Sequence, residues 1–485
     1  MALYPHIAID PRETVLSYAA RLAVIHTGMG IDRLLPDLGL RIEDLVLGKL
    51  DALDVFAGGV GVPVTDLIPS NLQAFGKDAI FRGEACQWSF IARNADKYCP
   101  VCLAEDGGPR DWKQRLIWCF APVQRCACHG VWLERLPAST RTLQEALGTT
   151  DDFDVPRPTG TPTPGYLSWL QGRLEGTVED DPWLAGQGLQ QILDAALMLG
   201  VVMAEGHKVA PKTLPPERSE AAVETGFQIY AQGPKAVTKA LDLIRETSPA
   251  QAAQAGPLAK YGKLYDWLDR QCNGRDPGPI RDLLREHIIE HDVLDVGAKI
   301  LGHEIEFRRF HSVQSLGDTL GRKSIQMARI LKKLGRIPAD TTAEEWNRIR
   351  FDATEISALV ADFETAIPLE DLADYIGASF SQARTLYSEG IVKPLIPADK
   401  PGAVRNVVFA RRTLDAFLAR IAALPLAEGK DLHPISYVCQ RKAGTTAEIV
   451  KAVLASELPA FRNPKSTGLA SVVMPVDEVL AIRAA

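Results

Sequence analysis

The spacing Cys99-Pro-Val-Cys102, followed after 23 residues by Cys126-Ala-Cys128-His129, constrains this chain more than any other stretch of it. Two thiolates separated by two residues can grip one metal ion from a tight turn. A CxxC paired with a CxxH supplies a tetrahedral Cys3His set. Pro100 favours the turn of the first knuckle. Cys126 and Cys128 compete for the third thiolate place, and the three-residue step from Cys126 to His129 matches the first knuckle better. The expected ligands are therefore Cys99, Cys102, Cys126 and His129, holding Zn2+. Four protein ligands close the shell, so the ion is expected to be structural rather than catalytic. Such a site contributes about 10–16 kcal/mol to folding a module with little core of its own. The isolated Cys86, Cys119, Cys272 and Cys439 read as small buried apolar groups.

Metal-bound thiols need a reducing compartment. The opening MALYPHIAIDPRETVLSYAARLA lacks the charged and apolar regions of a signal peptide. No window approaches the roughly 18 apolar residues of a membrane span. A cytoplasmic protein with no membrane partner is expected. With 485 residues the chain is too long for one core, and roughly three domains follow. A hydrophobic share of 46% excludes wholesale disorder, and a net charge of −7 excludes a polycation that coats nucleic acid.

The expected fold class is mainly α, with an N-terminal helical domain carrying a zinc-binding module, a helical middle, and C-terminal tandem helix-turn-helix or winged-helix units. Residues 1–147 form the first domain. It opens with an amphipathic helix over 13–23, with Glu13 in its first turn, and continues over 31–80 as short helices broken by Gly58-Gly59 and Pro63. Four prolines between 148 and 165 mark a linker. Residues 166–310 read as helical throughout. His287 and His291 lie on one helix face, but HIIEH lacks the glutamate directly after the first histidine that a zinc-protease motif needs, so a surface or partly buried pair is expected.

Residues 311–340 carry a helix-turn-helix pattern, with Gly317, Gly321 and Met327 where two helices must cross closely. From 321 to 336 there are six basic residues and no acid. Such a helix suits phosphates, through Arg322, Lys323, Arg329 and Lys333, with Ser324 and Gln326 able to reach base edges. The spacing recurs in a winged unit over 366–424, at Ala373, Gly377 and Ala383. There Ser379, Ser381, Gln382, Arg384 and Arg405 are the candidate DNA contacts. Its expected wing has strands Ile391–Ile396 and Val404–Phe409 around a turn at Asp399–Ala403, closed by a helix from Arg411. A weaker copy spans 433–485, with Gly444 at the turn and Thr445, Thr446 and Lys451 as candidates. Its expected strands are Leu458–Phe461 and Leu469–Met474, followed by a helix from Val476.

Together these features resemble the TniQ/TnsD family of transposon target-selection proteins. The resemblance rests on ETVLSYAARLA (13–23), KYCPVCL (97–103), RLIW (115–118), CACHGVWL (126–133) and KYGKLYDWL (260–268). It implies a non-catalytic adaptor that chooses the insertion site by binding DNA or docking on an RNA-guided CRISPR effector. Such an adaptor recruits an AAA+ regulator of the TniB/TnsC type and, through it, the transposase. The long helical middle also offers a homodimer. By the family pattern Cys99, Cys102, Cys126 and His129 carry over as zinc ligands, whereas LERLPASTRT after residue 133 lacks the further CxxC of many relatives. The alternative is a zinc-containing helix-turn-helix transcription regulator. An enzyme is not expected: no P-loop, GxSxG or HExxH is present.

Overall fold

The computed structural model describes residues 2–148, 154–157, 162–272, 275–397, 407–428 and 431–484. The chain is mainly helical, and its sheets have only two or three short strands each. It divides into two compact lobes. The first comprises residues 1–251, 256–290 and 299–303, and the second 252–255, 291–298 and 304–485. Among the described residues no single helix is long and apolar enough to cross a membrane.

The first lobe opens with helix Val15–Thr27, capped by the Thr14 hydroxyl, which accepts from the Ser17 amide. Glu13 therefore precedes the cap instead of standing in the first turn. It is fully buried, and Arg21 Nη1 donates to it at 2.6 Å. Burying a carboxylate is tolerable only when it is so paired. Helices Ile31–Asp37, Ile42–Val46, Leu50–Val60 and Val64–Leu67 pack around Tyr18 and Phe56. Helix Leu50–Val60 runs through Gly58-Gly59 and ends at Gly61, whose φ of 73° supplies the left-handed stop that the two earlier glycines do not. An antiparallel meander then follows, Leu72–Phe75, Asp78–Phe81 and Glu84–Gln87, which sequence reading does not anticipate. Its second turn holds Arg82 and Gly83 at φ 50° and 81°, the pair of positive values a tight hairpin needs.

Residues 148–165, expected as a linker, fall partly outside the described residues. At their end the Thr163 hydroxyl donates to the Ala127 carbonyl, and a helix begins at Gly165. Downstream, helices Leu189–Glu205 and Pro216–Tyr230 approach until their backbones touch. A Cβ on Gly200 would stand 1.8 Å from the Ala222 carbonyl oxygen, and one on Gly226 would stand 1.8 Å from that of Ala196. Small residues four apart on each helix create the contact. His287 is buried, with Nδ1 3.0 Å from the Tyr261 hydroxyl and Nε2 3.0 Å from Asp242 Oδ1.

The second lobe repeats one order of elements three times: strand, helix, helix, strand, helix. The first repeat runs through Phe310–Ser312, Val313–Thr319, Ser324–Lys333, Arg350–Asp352 and Ala353–Glu364. The second has Ile367–Pro368, Leu372–Ile376, Phe380–Ser388, Val408–Phe409 and Arg411–Ala422. The third has His433–Pro434, Ile435–Gln440, Thr446–Leu454, Val472–Met474 and Val476–Ala484, with an additional strand, Phe461–Arg462. In each repeat the strand before the helix pair lies antiparallel to the strand after it.

This pairing corrects the expected wing of the second repeat. Residues 391–396 form no regular strand, although the Leu395 amide donates to the Val408 carbonyl at 2.8 Å; the ladder of Val408–Phe409 is with Ile367–Pro368. Pro394 and Pro397 have no amide proton to extend a ladder there. The expected turn Asp399–Ala403 and residues 404–406 lie outside the described residues. In the third repeat the left-handed turn residue is Lys442, at φ 59°, not Gly444. Its hairpin is also shorter than expected, with Phe461–Arg462 opposite Val472 and Val473.

The second and third repeats share one apolar core, which includes Ile376, Leu386, Phe409, Ile449 and Met474. They also interlock at glycine. A Cβ on Gly468 would lie 2.2 Å from the Ile376 carbonyl oxygen, and the Ala470 amide donates to the Gly377 carbonyl at 2.8 Å. In the first lobe, Gly200→Ala should drive two helix backbones apart. A loss of about 1–3 kcal/mol of stability is expected, read as a lowered denaturation midpoint, with Gly58→Ala, an exposed helical position whose Cβ meets open space, as the control that loses none.

Candidate functional site

Helix Pro100–Asp106 starts at Cys99, whose sulfur accepts from the Cys102 amide at 3.4 Å while Pro100 fills the first helical position. One turn thus presents both sulfurs inward. The second knuckle folds on itself: the Gly130 amide donates to the Cys126 carbonyl at 3.0 Å, and the Cys126 amide to the Val131 carbonyl at 2.8 Å. Gly130 has φ 67°, which lets the chain reverse directly after His129. Lys97, 1% exposed, donates to the Phe120 and Val123 carbonyls at 2.7 and 2.8 Å and holds the two knuckles in register. Burial pushes its ammonium down to about 8.

The ligand atoms of Cys99, Cys102, Cys126 and His129 all lie within 4.8 Å of one another. Cys102 and Cys126 sulfurs are 3.6 Å apart, and His129 Nδ1 stands 3.6, 3.3 and 3.6 Å from the sulfurs of Cys99, Cys102 and Cys126. Zinc–sulfur bonds of about 2.3 Å set tetrahedral edges near 3.8 Å, so the spacing fits one zinc-sized ion. His129 Nε2, on the far side of its ring, is 3.0 Å from Glu105 Oε1, an arrangement that fixes the tautomer and leaves Nδ1 to ligate. Three thiols this close cannot all ionise unaided. Hydrogen bonding with Cys102 lowers Cys99 to about 4 and Cys126 to about 6, and Cys102, bonded to Cys126, is held far above its usual range. A divalent cation would remove that conflict. Cys128 is exposed and lies outside the four-ligand group, in agreement with the choice of Cys126 from spacing.

The second knuckle is fastened to the rest of the lobe by Arg125. Its guanidinium pairs with Glu220 of helix Pro216–Tyr230 at 2.7 Å and lies over the Trp132 ring at 4.6 Å. Arg115 pairs with Asp106 at 2.7 Å at the other end of the first knuckle's helix. Neither partner was marked in the sequence. Arg125–Glu220 spans 95 positions and no local pattern announces it.

The candidate DNA contacts separate into distinct groups. In the first repeat Lys323, Gln326 and Arg329 are exposed, and Ser324 is half-buried. Arg322 lies over the Phe363 ring at 5.6 Å. Lys333 corrects the reading: only 8% exposed, it follows Ile330 by three positions and so falls on the buried side of the helix. Lys332 is also engaged, donating to the Ala339 and Thr341 carbonyls.

In the second repeat Ser379 and Gln382 cap each other's amides at 3.3 and 3.0 Å, leaving Ser381 and Arg384 as the exposed pair. Arg405 is outside the described residues. In the third, Thr445 caps the Glu448 amide, Thr446 is half-buried 3.6 Å from the Cys439 sulfur, and Lys451 reaches Glu389 of the second repeat at 3.2 Å. The capping boxes were readable as S-x-x-Q and T-x-x-E. The cross-repeat contact was not.

Against known proteins, residues 4–133 match the family model TniQ, a span that contains all four residues of the Cys3His group. No curated protein matches the chain. Purified protein should contain about one zinc per chain by elemental analysis. Cys126→Ser should lose the ion together with solubility, and Cys128→Ser should retain both. A well-folded preparation without metal would refute the assignment.

Proposed function

We propose that this TniQ-domain protein is a non-catalytic adaptor that selects target sites for a transposition system. The TniQ match is the observation that carries the reading, because the role of TniQ proteins is target selection in transposition. In this reading the Cys3His group holds a structural Zn2+, and residues 1–147 meet protein partners. Residues 166–310 connect them to the DNA-reading part. The AAA+ regulator of the TniB/TnsC type is the partner recruited, and the transposase is reached through it.

DNA reading falls to the helix-turn-helix of residues 311–340. Its second helix, Ser324–Lys333, carries exposed Lys323 and Arg329 for phosphates and Gln326 for a base edge. The second and third repeats, within 366–424 and 433–485, act as one body, since they share a core. Ser381 and Arg384 are the contacts they offer. A protein docked on an RNA-guided effector would use the same adaptor surfaces without reading bases.

The reading is tested by fluorescence anisotropy on duplex DNA over a salt series. Lys323→Ala with Arg329→Ala should weaken binding to all sequences and reduce the salt slope by about one per lost phosphate contact. Lys333→Met should leave the slope unchanged, because that side chain is buried. An unchanged slope in the double variant would reduce this helix to a solvated face.

A further inference from the structure

A cavity of about 730 Å³ opens in the first lobe beside the Cys3His group, walled by the segment before helix Val15–Thr27, the second knuckle and the end of helix Gly165–Glu175. Its size falls in the range of ligand sites. Five cationic side chains reach it, Arg12, Arg21, Arg82, Lys113 and Arg115, against two carboxylates, Asp10 and Glu175. Arg12 and Lys113 share Asp10, at 3.3 and 3.1 Å, Arg115 is paired with Asp106 at 2.7 Å and Arg21 with Glu13 at 2.6 Å, so these five cations outnumber the carboxylates around them, Asp10, Glu13, Asp106 and Glu175, by a single charge. Between the cations lie Ile9 and Leu174, both half-buried.

Arg21 adds an independent observation. It is 7% exposed, gives Nη1 to Glu13, and its Nε is buried without a hydrogen-bond partner. A buried donor without an acceptor costs about 1–3 kcal/mol, which an incoming anionic group would recover.

We infer that this cavity is a docking site for a short acidic peptide segment of a protein partner, its carboxylates set among the cations and its apolar side chains against Ile9 and Leu174. Charge complementarity argues for the acid, and the apolar walls argue for a peptide over a bare anion. A duplex is too wide for a cavity of this volume. Arg12, 58% exposed, and the exposed Arg82 stand at the mouth as the first contacts. The inference deepens the adaptor reading and rests on it for the existence of a protein partner.

The test uses the full-length, zinc-loaded chain and fluorescein-labelled octapeptides with two adjacent glutamates among leucine and phenylalanine, followed by anisotropy. Saturable binding is expected. It should weaken about tenfold or more when the glutamates become glutamines, and likewise in Arg12→Ala/Arg82→Ala. Glu175→Gln should tighten it. Zinc content and duplex binding should stay at wild-type values in these variants; the thermal midpoint should hold in Glu175→Gln and fall modestly in Arg12→Ala/Arg82→Ala, which gives up the Asp10 pair and the Arg82 hydrogen bonds to the Pro69 and Leu174 carbonyls. No binding by any peptide, equal affinity for the glutamine peptide, or displacement by inorganic phosphate alone would overturn the proposal. Duplex binding with its normal salt slope would in that case leave the DNA-reading assignment standing.

Discussion

Four side chains from two knuckles, 23 residues apart between Cys102 and Cys126, must arrive within 4.8 Å of each other, and the N-terminal part of the first lobe is arranged around that requirement. The intervening segment carries Trp112 and Trp118, both buried, as well as Arg115. Their packing depends on the loop being closed. Lys97 closes it from one side through two carbonyls, and Arg125 closes it from the other through Glu220. A buried lysine and a half-buried carboxylate–guanidinium pair are costly features, and each is retained where it pins a segment with little secondary structure. The Glu13–Arg21 pair does the same for the opening helix.

The second lobe solves a different problem. A helix pair of this size cannot bury enough apolar surface alone, so each repeat folds a strand back from before the helices to the strand after them. The first repeat then builds a core from Leu316, Met327, Leu331 and Ile356, to which the second repeat adds Ile396, whereas the second and third combine theirs. Helices Phe380–Ser388 and Thr446–Leu454 lie side by side in consequence, bridged at their surface by Lys451 and Glu389. On helix Ser324–Lys333 the Arg329 side chain is exposed to solvent.

What the sequence makes legible follows the range of the interaction. Cys99, Cys102, Cys126 and His129 rest on spacing within two short motifs, and the structure brings them together. The helix pairs rest on periodicity and on glycine, and Gly321 and Gly377 do adopt the left-handed turn. The three four-residue strands at 72–87 are too short for a period-two signal. The second repeat's strand pairing was misread because local order suggested a hairpin with 391–396, and the partner lies across the helix pair at Ile367–Pro368. Lys333 shows the same limit: a count of charges along a helix does not say which of them face inward.

The glycine interlock of the second and third repeats alters what a boundary means in this chain. Gly377 ends one helix with a left-handed turn, and its carbonyl also receives the Ala470 amide from the neighbouring repeat. A residue that usually serves only its own turn is therefore shared property. Cutting the chain after residue 424 would remove Leu458, Leu469 and Met474 from a core they complete and would strip the cover from that turn. The smallest piece of this region that can be excised, swapped into another protein or inherited intact is the pair, however clearly the repeats can be counted.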